Sequence, residues 1–429
     1  MNPAIHARIE TTRHTRALRA GLFLCFFAAL SPVQASERDS SRWFATWTAS
    51  PQPLWNGDFV LPTNAPFNVW KQTLRQTARV SIGGHRLRVR LSNEYGSLPL
   101  TIDAAHVARA AQGSTTVAGS DRMLTFGGKS SVTIPAGAPA LSDPVDLDVP
   151  AAGSVAVSLY LAAPTPPATF HWDARQTMYI GAGDQTSAQT LQAESTFTLR
   201  AFVGAILVEG GPDTRSVVAL GDSITDGNGS TVDRNARWPD FLAERLAADD
   251  VAVLNAGISG NRLLRDGMGV SALARFQRDA LDQPGVVAVI VLLGINDISW
   301  NHMAFAPHDA VVSADELIAG YRQLLAQGHA RGVRMIAGTL TPFESALHDS
   351  PLQDYYSAEK ERVRQAVNAW LRASGEFDAV VDFDALLRDP AHPARFLPAY
   401  DSGDHLHPGD AGYKAMADAI DARRLFGAR

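Results

Sequence analysis

From about residue 216 onward, short runs of almost wholly apolar residues alternate with stretches of helical spacing. Few folds satisfy that pattern. The runs are SVVALG, VAVLNAG, VVAVIVLLG, VRMIAGTL and AVVDF. Between them lie WPDFLAERLAADD, SALARFQRDALD, ADELIAGYRQLLAQGHARG and SAEKERVRQAVNAWLRASG. Strands that are apolar on both faces need cover on both faces, which parallel strands joined by helical crossovers provide. The expectation is an α/β domain over residues 217–429, built as a doubly wound parallel sheet. Its ligand site should lie beyond the carboxyl ends of the strands.

The preceding segment has a different period. RLRVRLS, residues 86–92, sets Leu87, Val89 and Leu91 on one face and three arginines on the other. SVAVSLYLA, residues 154–162, alternates in the same way. Turn signals recur between such stretches: IGGH, NEYGS, FGGKS, IPAGAP, VPAAGS and GAGD. Short alternating strands with regular turns predict an all-β sandwich or jelly-roll-like domain over residues 36–208. EGGPDTRS, residues 209–216, reads as the linker. Two domains also suit a chain of 429 residues.

Residues 1–35 read as a secretory signal peptide. Arg8, Arg13, Arg16 and Arg19 precede the apolar run AGLFLCFFAAL, and SPVQA supplies small residues for a cut after Ala35. The run is about half as long as a bilayer span requires, so no stable membrane anchor is expected. A secreted or periplasmic location follows. Cleavage would remove Cys25, the only cysteine, and with it any cysteine chemistry or internal disulfide. The whole chain has a net charge of −6, and losing the arginine-rich leader makes the balance more acidic. That balance argues against a nucleic-acid partner.

Chemistry concentrates at the strand ends. VVALGDSITDGNGS, residues 217–230, carries the first apolar run straight into Ser223. Alone, Gly-Asp-Ser is an ordinary turn or helix cap. A nucleophilic serine also needs a base, and the base needs an orienting acid. DSGDHLHPGDAGY, residues 401–413, offers Asp404 three residues before His407, with Pro408 suited to the first turn of a closing helix. His405 is the rival base, less well placed for Asp404 to orient. An oxyanion needs donors. Gly260, in NAGISGN after the second strand, could offer a backbone N–H, and Asn296, in LLGIND after the third, a side-chain amide. In isolation each reads more readily as a turn residue. Asp222, Asp226 and Asp297 read as turn and hydrogen-bonding residues.

These blocks resemble the SGNH hydrolase family, also called GDSL-type esterases. The resemblance covers about residues 215–425 and rests on Ser223, Gly260, Asn296 and His407. The first block departs slightly, reading GDSI. It implies a Ser-His-Asp carboxylic ester hydrolase without cofactor or metal. Ser223 would be the nucleophile, His407 the base, Asp404 its orienting acid, and Ser223, Gly260 and Asn296 the oxyanion hole. The β half, through WFATWTASPQPLW, LRVRLSNEYGSLPL and LTFGGKSSVTIPAGAP, is similar to the leading domain of secreted esterases from xylan-degrading bacteria. That likeness suggests O-acetyl groups on plant polysaccharide or oligosaccharide as substrate.

Five of the eight tryptophans, Trp43, Trp47, Trp55, Trp70 and Trp172, fall in the β half, where core packing is the plainer role than sugar stacking. ISWNHMAFAPH directly follows Asn296 and reads as a pocket wall, with Trp300, His302 and Phe305 as substrate contacts. Three alternatives stay open. One is a lipolytic or aryl esterase. Another is a carbohydrate-binding protein with an inactive hydrolase half. The third is a zinc deacetylase using Asp404, His405 and His407, although no distant cluster completes its ligand set.

Overall fold

A computed structural model describes residues 42–55 and 59–427; the leader and its cut site, residues 1–35, lie outside the described residues. Two antiparallel sheets make up most of the first half. One orders Arg42–Thr48, Val203–Gly210, Gly84–Ser92 and Val145–Val149. The other orders Ser195–Phe197, Met178–Ala182, Gln72–Arg79, Ser154–Leu161, Ala104–Arg109 and Arg122–Met123. Leu87, Val89 and Leu91 of the first sheet and Val155, Val157 and Leu159 of the second are fully buried in one core. The alternation therefore places the sandwich interior where the period-2 pattern put it.

The outer face of Ser154–Leu161 differs from the pattern. Ala156 and Ser158 are buried as well. The cause is Arg75, itself buried, whose Nε donates to Ser158 Oγ at 2.8 Å. Its two Nη atoms hold the carbonyls of Ser114 and Ala188, each at 2.7 Å, so two loops fold over that face.

The second half is a parallel sheet ordered Val251–Gly257, Arg215–Gly221, Val286–Leu292, Arg334–Gly338 and Ala379–Val381. Chain order reverses beside Arg215–Gly221, whose neighbours are the second and third strands. A crevice opens at such a switch point. Helices Trp238–Leu246, Ala314–Ala330, Ala358–Ala373 and Asp410–Ala419 belong to this half. Ala314–Ala330 begins with a capping box, in which Ser313 and Glu316 each accept from the other's backbone N–H. The helix expected over residues 271–282 is interrupted: Ala272–Phe276 is α-helical and Gln277–Leu281 π-helical. The interruption accompanies a buried ion pair, Arg275 Nη1 to Asp279 Oδ2 at 3.0 Å, inside the chain's own core.

The expected linker is shorter than residues 209–216. Glu209 and Gly210 finish Val203–Gly210, while Arg215 and Ser216 open Arg215–Gly221, which leaves residues 211–214 as the connection. The halves are joined laterally too. Thr48 Oγ1 donates to the Asn255 carbonyl at 3.0 Å, and Val253 N–H donates to Ser81 Oγ at 3.2 Å. Among the described residues no helix is long and apolar enough to cross a membrane.

Candidate active site

Three adjacent strands deliver the candidate residues to one crevice. Gly221 ends its strand so close to its surroundings that a Cβ there would sit 3.0 Å from the Leu292 carbonyl. The chain then turns at once into the short helix Ser223–Asp226, capped by Asp222 Oδ1 on the Ile224 N–H at 3.0 Å. Ser223 is the first helical residue, so its own N–H has no partner within the helix. The sharp turn is why a buried strand ends by presenting a hydroxyl.

His407 Nε2 lies 2.8 Å from Ser223 Oγ. Its Nδ1 lies 2.6 Å from Asp404 Oδ2, and Asp404 Oδ1 accepts the N–H groups of Leu406 at 3.0 Å and His407 at 2.8 Å. Burial pulls the Asp404 carboxyl upward, but the facing His407 and these hydrogen bonds outweigh it and hold it well below the usual carboxylate range. An ionised Asp404 requires a proton on Nδ1, which leaves Nε2 free to accept from Ser223. His405 belongs to a different pair: its Nδ1 lies 2.5 Å from Asp401 Oδ2, and its backbone is left-handed with φ of 61°. Pro408 stands ahead of the closing helix, not in its first turn; Gly409 is the cap and Asp410 the first helical residue.

Gly260 has φ of +73°, and a Cβ there would meet Met268 and sit 2.9 Å from Trp300 Cζ2, so only glycine fits. Its N–H and that of Ser223 have no acceptor among the described residues. Asn296 is held in one orientation. Its Oδ1 accepts from Trp300 Nε1 at 3.0 Å and Tyr355 Oη at 2.7 Å, while Nδ2 donates to the Asn261 carbonyl at 3.0 Å. Two donors on Oδ1 set the amide so that Nδ2 keeps a second hydrogen for the crevice.

Ser223, Gly260, Asn296, Asp404 and His407 all line one cavity of about 160 Å³. Its apolar walls are Trp300 and Phe305, stacked with centroids 4.6 Å apart, together with Leu61, Trp172, Met268, Leu347, Leu352 and Leu406. His302 does not share this wall: it is exposed and sits at a left-handed turn with φ of 62°. The turn follows the end of helix Ile295–Ser299, and it places His302 outside the cavity lining while Trp300 and Phe305 remain in it.

The charged neighbours are buried carboxyls. Burial pushes Asp222 up to about 7 and Asp297 up to about 6, although Asp297 accepts the N–H groups of Leu263 and Leu264. Asp222 Oδ2 is buried without a partner among the described residues. Among the same residues no group of three or more His, Cys, Asp or Glu is arranged to hold a metal ion.

Residues 217–420 match the family model of the GDSL-like lipase/acylhydrolases. This segment is a GDSL-like lipase/acylhydrolase domain. The chain thereby carries a carboxylic ester hydrolase domain over these residues. No curated protein matches it. Among solved structures, a GDSL-like lipase from Bacteroides thetaiotaomicron is 17% identical, with 48% of this chain and 85% of that one covered and a TM-score of 0.35. An acetyl xylan esterase from Geobacillus stearothermophilus is 22% identical over 50% of this chain and 94% of its own, with a TM-score of 0.35. An aryl esterase of M. smegmatis is 18% identical over 49% and 100%, with a TM-score of 0.38.

Several residues around the GDSL-domain crevice escaped sequence reasoning. Tyr355 lies in a short 3-10 turn, Gln353–Tyr355, with no motif to mark it. Leu61 and Trp172 come from the β half, and nothing in their local pattern separates a cavity wall from core packing. Trp300 was expected as a substrate contact, but its hydrogen bond to Asn296 has no signal beyond helical i,i+4 spacing.

Proposed function

We propose that the protein is a secreted serine esterase that removes short acyl groups, chiefly O-acetyl, from plant polysaccharide or oligosaccharide. The supporting observation is the continuous chain from Asp404 through His407 to Ser223 Oγ, at 2.6 and 2.8 Å. Ser223 Oγ attacks the ester carbonyl carbon while its proton passes to His407 Nε2. Asp404 keeps Nδ1–H in place and balances the imidazolium that forms. The N–H groups of Ser223 and Gly260 and the Asn296 amide receive the oxyanion. Collapse breaks the bond to the alcohol oxygen, which leaves with the proton from Nε2. Water then gives a proton to the same nitrogen as it attacks the acyl carbon; the bond to Ser223 Oγ breaks, Oγ takes that proton back from Nε2, and the carboxylic acid leaves.

A cavity of about 160 Å³ lined by Trp172, Trp300 and Phe305 favours a short acyl group over a long lipid chain. The leader read from the sequence supports export, where polymeric substrates are met. A second reading, an aryl or lipolytic esterase, is favoured by the apolar side of the same cavity, where Leu61, Leu347 and Leu352 could accept an apolar group.

The test is acetate release from acetylated xylan, measured beside hydrolysis of short and long nitrophenyl esters, with wild type and Ser223→Ala. Xylan deacetylation that disappears in Ser223→Ala supports the first reading. Serine-dependent turnover of aryl or long-chain esters alone selects the second. Full turnover by Ser223→Ala overturns both.

A further inference from the structure

The two halves also meet through a buried charged pair that the proposed chemistry does not use. His171 ends the strand Thr169–His171 in the β half, and Asp226 ends the helix that Ser223 begins. Their side chains are 7% and 2% exposed. His171 Nδ1 lies 3.0 Å from the Ser50 carbonyl oxygen. A carbonyl oxygen only accepts, so Nδ1 carries a proton. His171 Nε2 lies 2.8 Å from Asp226 Oδ1. Asp226 Oδ2 accepts both the N–H and the Oγ–H of Ser259, each at 2.9 Å. With Nδ1–H fixed, the contact of Nε2 with Asp226 Oδ1 holds one proton shared between ring and carboxyl. Burial opposes the imidazolium, yet the Asp226 charge and the bonds to Asp226 and Ser50 outweigh burial and raise the His171 pKa. Asp173, whose Oδ2 is 3.4 Å from Ser259 Oγ, is pushed up by burial and by Asp226.

Ser259 is the residue before Gly260. Asp226 therefore grips the oxyanion loop directly behind its proposed donor, and it does so from the helix that presents the nucleophile. The loop is braced from its other side by buried Arg275, which donates to the Ala256 carbonyl at 2.7 Å and to Asn261 Oδ1 at 3.0 Å. On the Asp226 side the hydrogen-bonded ring is His171, supplied by the β half, while Arg200, Arg237 and Arg275 reach Asp226 only through longer-range charge.

We propose that His171 is a positioning residue for ester hydrolysis: it holds Asp226, and through Asp226 and Ser259 it sets the Gly260 N–H at the oxyanion. The β half is on this view part of the catalytic apparatus and not only an attachment. The inference rests on the reading of Ser223 as nucleophile and Gly260 as donor.

The experiment compares the full chain with its His171→Ala, His171→Gln and Ser259→Ala variants on a short nitrophenyl ester. It also measures inhibition by phenylboronic acid, which forms a tetrahedral adduct on a serine. Losing one oxyanion donor costs about 10²- to 10³-fold. His171→Ala is expected to lower kcat by about 10²-fold, on the scale of one lost donor, to leave KM within about threefold, and to weaken phenylboronic acid binding. His171→Gln can still donate to Asp226 and should recover at least about tenfold of that loss. A raised KM with unchanged kcat in His171→Gln overturns the proposal, because it would make His171 a substrate contact. Should His171→Ala fail to fold, wild-type kcat in both folded His171→Gln and Ser259→Ala overturns it equally. Ser223→Ala separates the two levels. If that variant is inactive while the His171 variants match wild type, only this inference fails; if Ser223→Ala is active, the nucleophile reading fails.

Discussion

The α/β half and the β half reach the same cavity by different routes. In the α/β half, Ser223, Gly260 and Asn296 follow the ends of three strands that lie side by side, and each sits within a few residues of its strand. Sheet geometry alone brings them together. In the β half, Leu61 and Trp172 lie outside the two large sheets, and His171 ends a strand of a small third sheet. They arrive through docking: Gln52 accepts the Trp172 N–H at 2.8 Å and donates to the Met268 carbonyl at 2.7 Å. The comparison separates the candidate nucleophile and oxyanion donors, which follow the strand ends of one sheet, from walls and supports, which depend on how two halves pack.

The sharpest break of that comparison is at the reacting groups. Ser223→Ala and Asp404→Asn should each lower kcat by about 10⁴-fold or more, measured on a short ester, with thermal unfolding little changed. Equal losses from β-half variants would erase the distinction. Next come the oxyanion supports. Asn296→Ala should cost about 10²- to 10³-fold in kcat. Tyr355→Phe, which leaves Trp300 as the remaining donor to Oδ1, should cost only about fivefold, the worth of one hydrogen bond near 1 kcal/mol.

The wall is the β half's clearest contribution. Trp172→Ala enlarges the cavity and should shift the ratio of kcat/KM for long over short acyl esters upward by about tenfold. An unchanged ratio would remove the β half from specificity.

The buried carboxyl beside the nucleophile gives a pH test. A folded-state pKa near 7 at Asp222, above the ordinary carboxylate value, means its contribution to stability is fully present at low pH and lost as pH rises through about 7. The Tm of Asp222→Asn relative to wild type should therefore climb between about pH 4 and pH 7. The smallest effect belongs to His405→Ala. Its partner is Asp401, and its ring lies tilted against His348 with centroids 5.1 Å apart, so a loss under about threefold is expected by comparison with a triad histidine. A loss as large as that of His407→Ala would reverse the assignment of the base.

Much of this was legible in the chain itself. Period-2 alternation at Leu87, Val89 and Leu91 and the apolar runs such as VVAVIVLLG carry the layer architecture, because burial on one or both faces dictates residue spacing directly. Ser223, Gly260, Asn296, Asp404 and His407 stood out as candidates because each sits at a short, fixed distance from a strand end or a turn, and they line one cavity. The interruption at Gln277–Leu281 was not legible, since it follows from packing Arg275 and Asp279 together inside the core. Nor was the position of His302, which a single left-handed turn moves out of the cavity lining.

By itself, then, the sequence determined the fold class of each half, the strand ends that hold the candidate residues Ser223, Gly260 and Asn296, and the order Asp404, His405, His407 on one loop. The tertiary structure decided which histidine faces Ser223, what holds the Asn296 amide, and that Trp172 and Leu61 line the same cavity. The physical reason is range. Periodicity and turn chemistry act over a few residues, whereas a hydrogen bond such as His171 to Asp226, 55 positions apart, exists only once two independently patterned surfaces have packed.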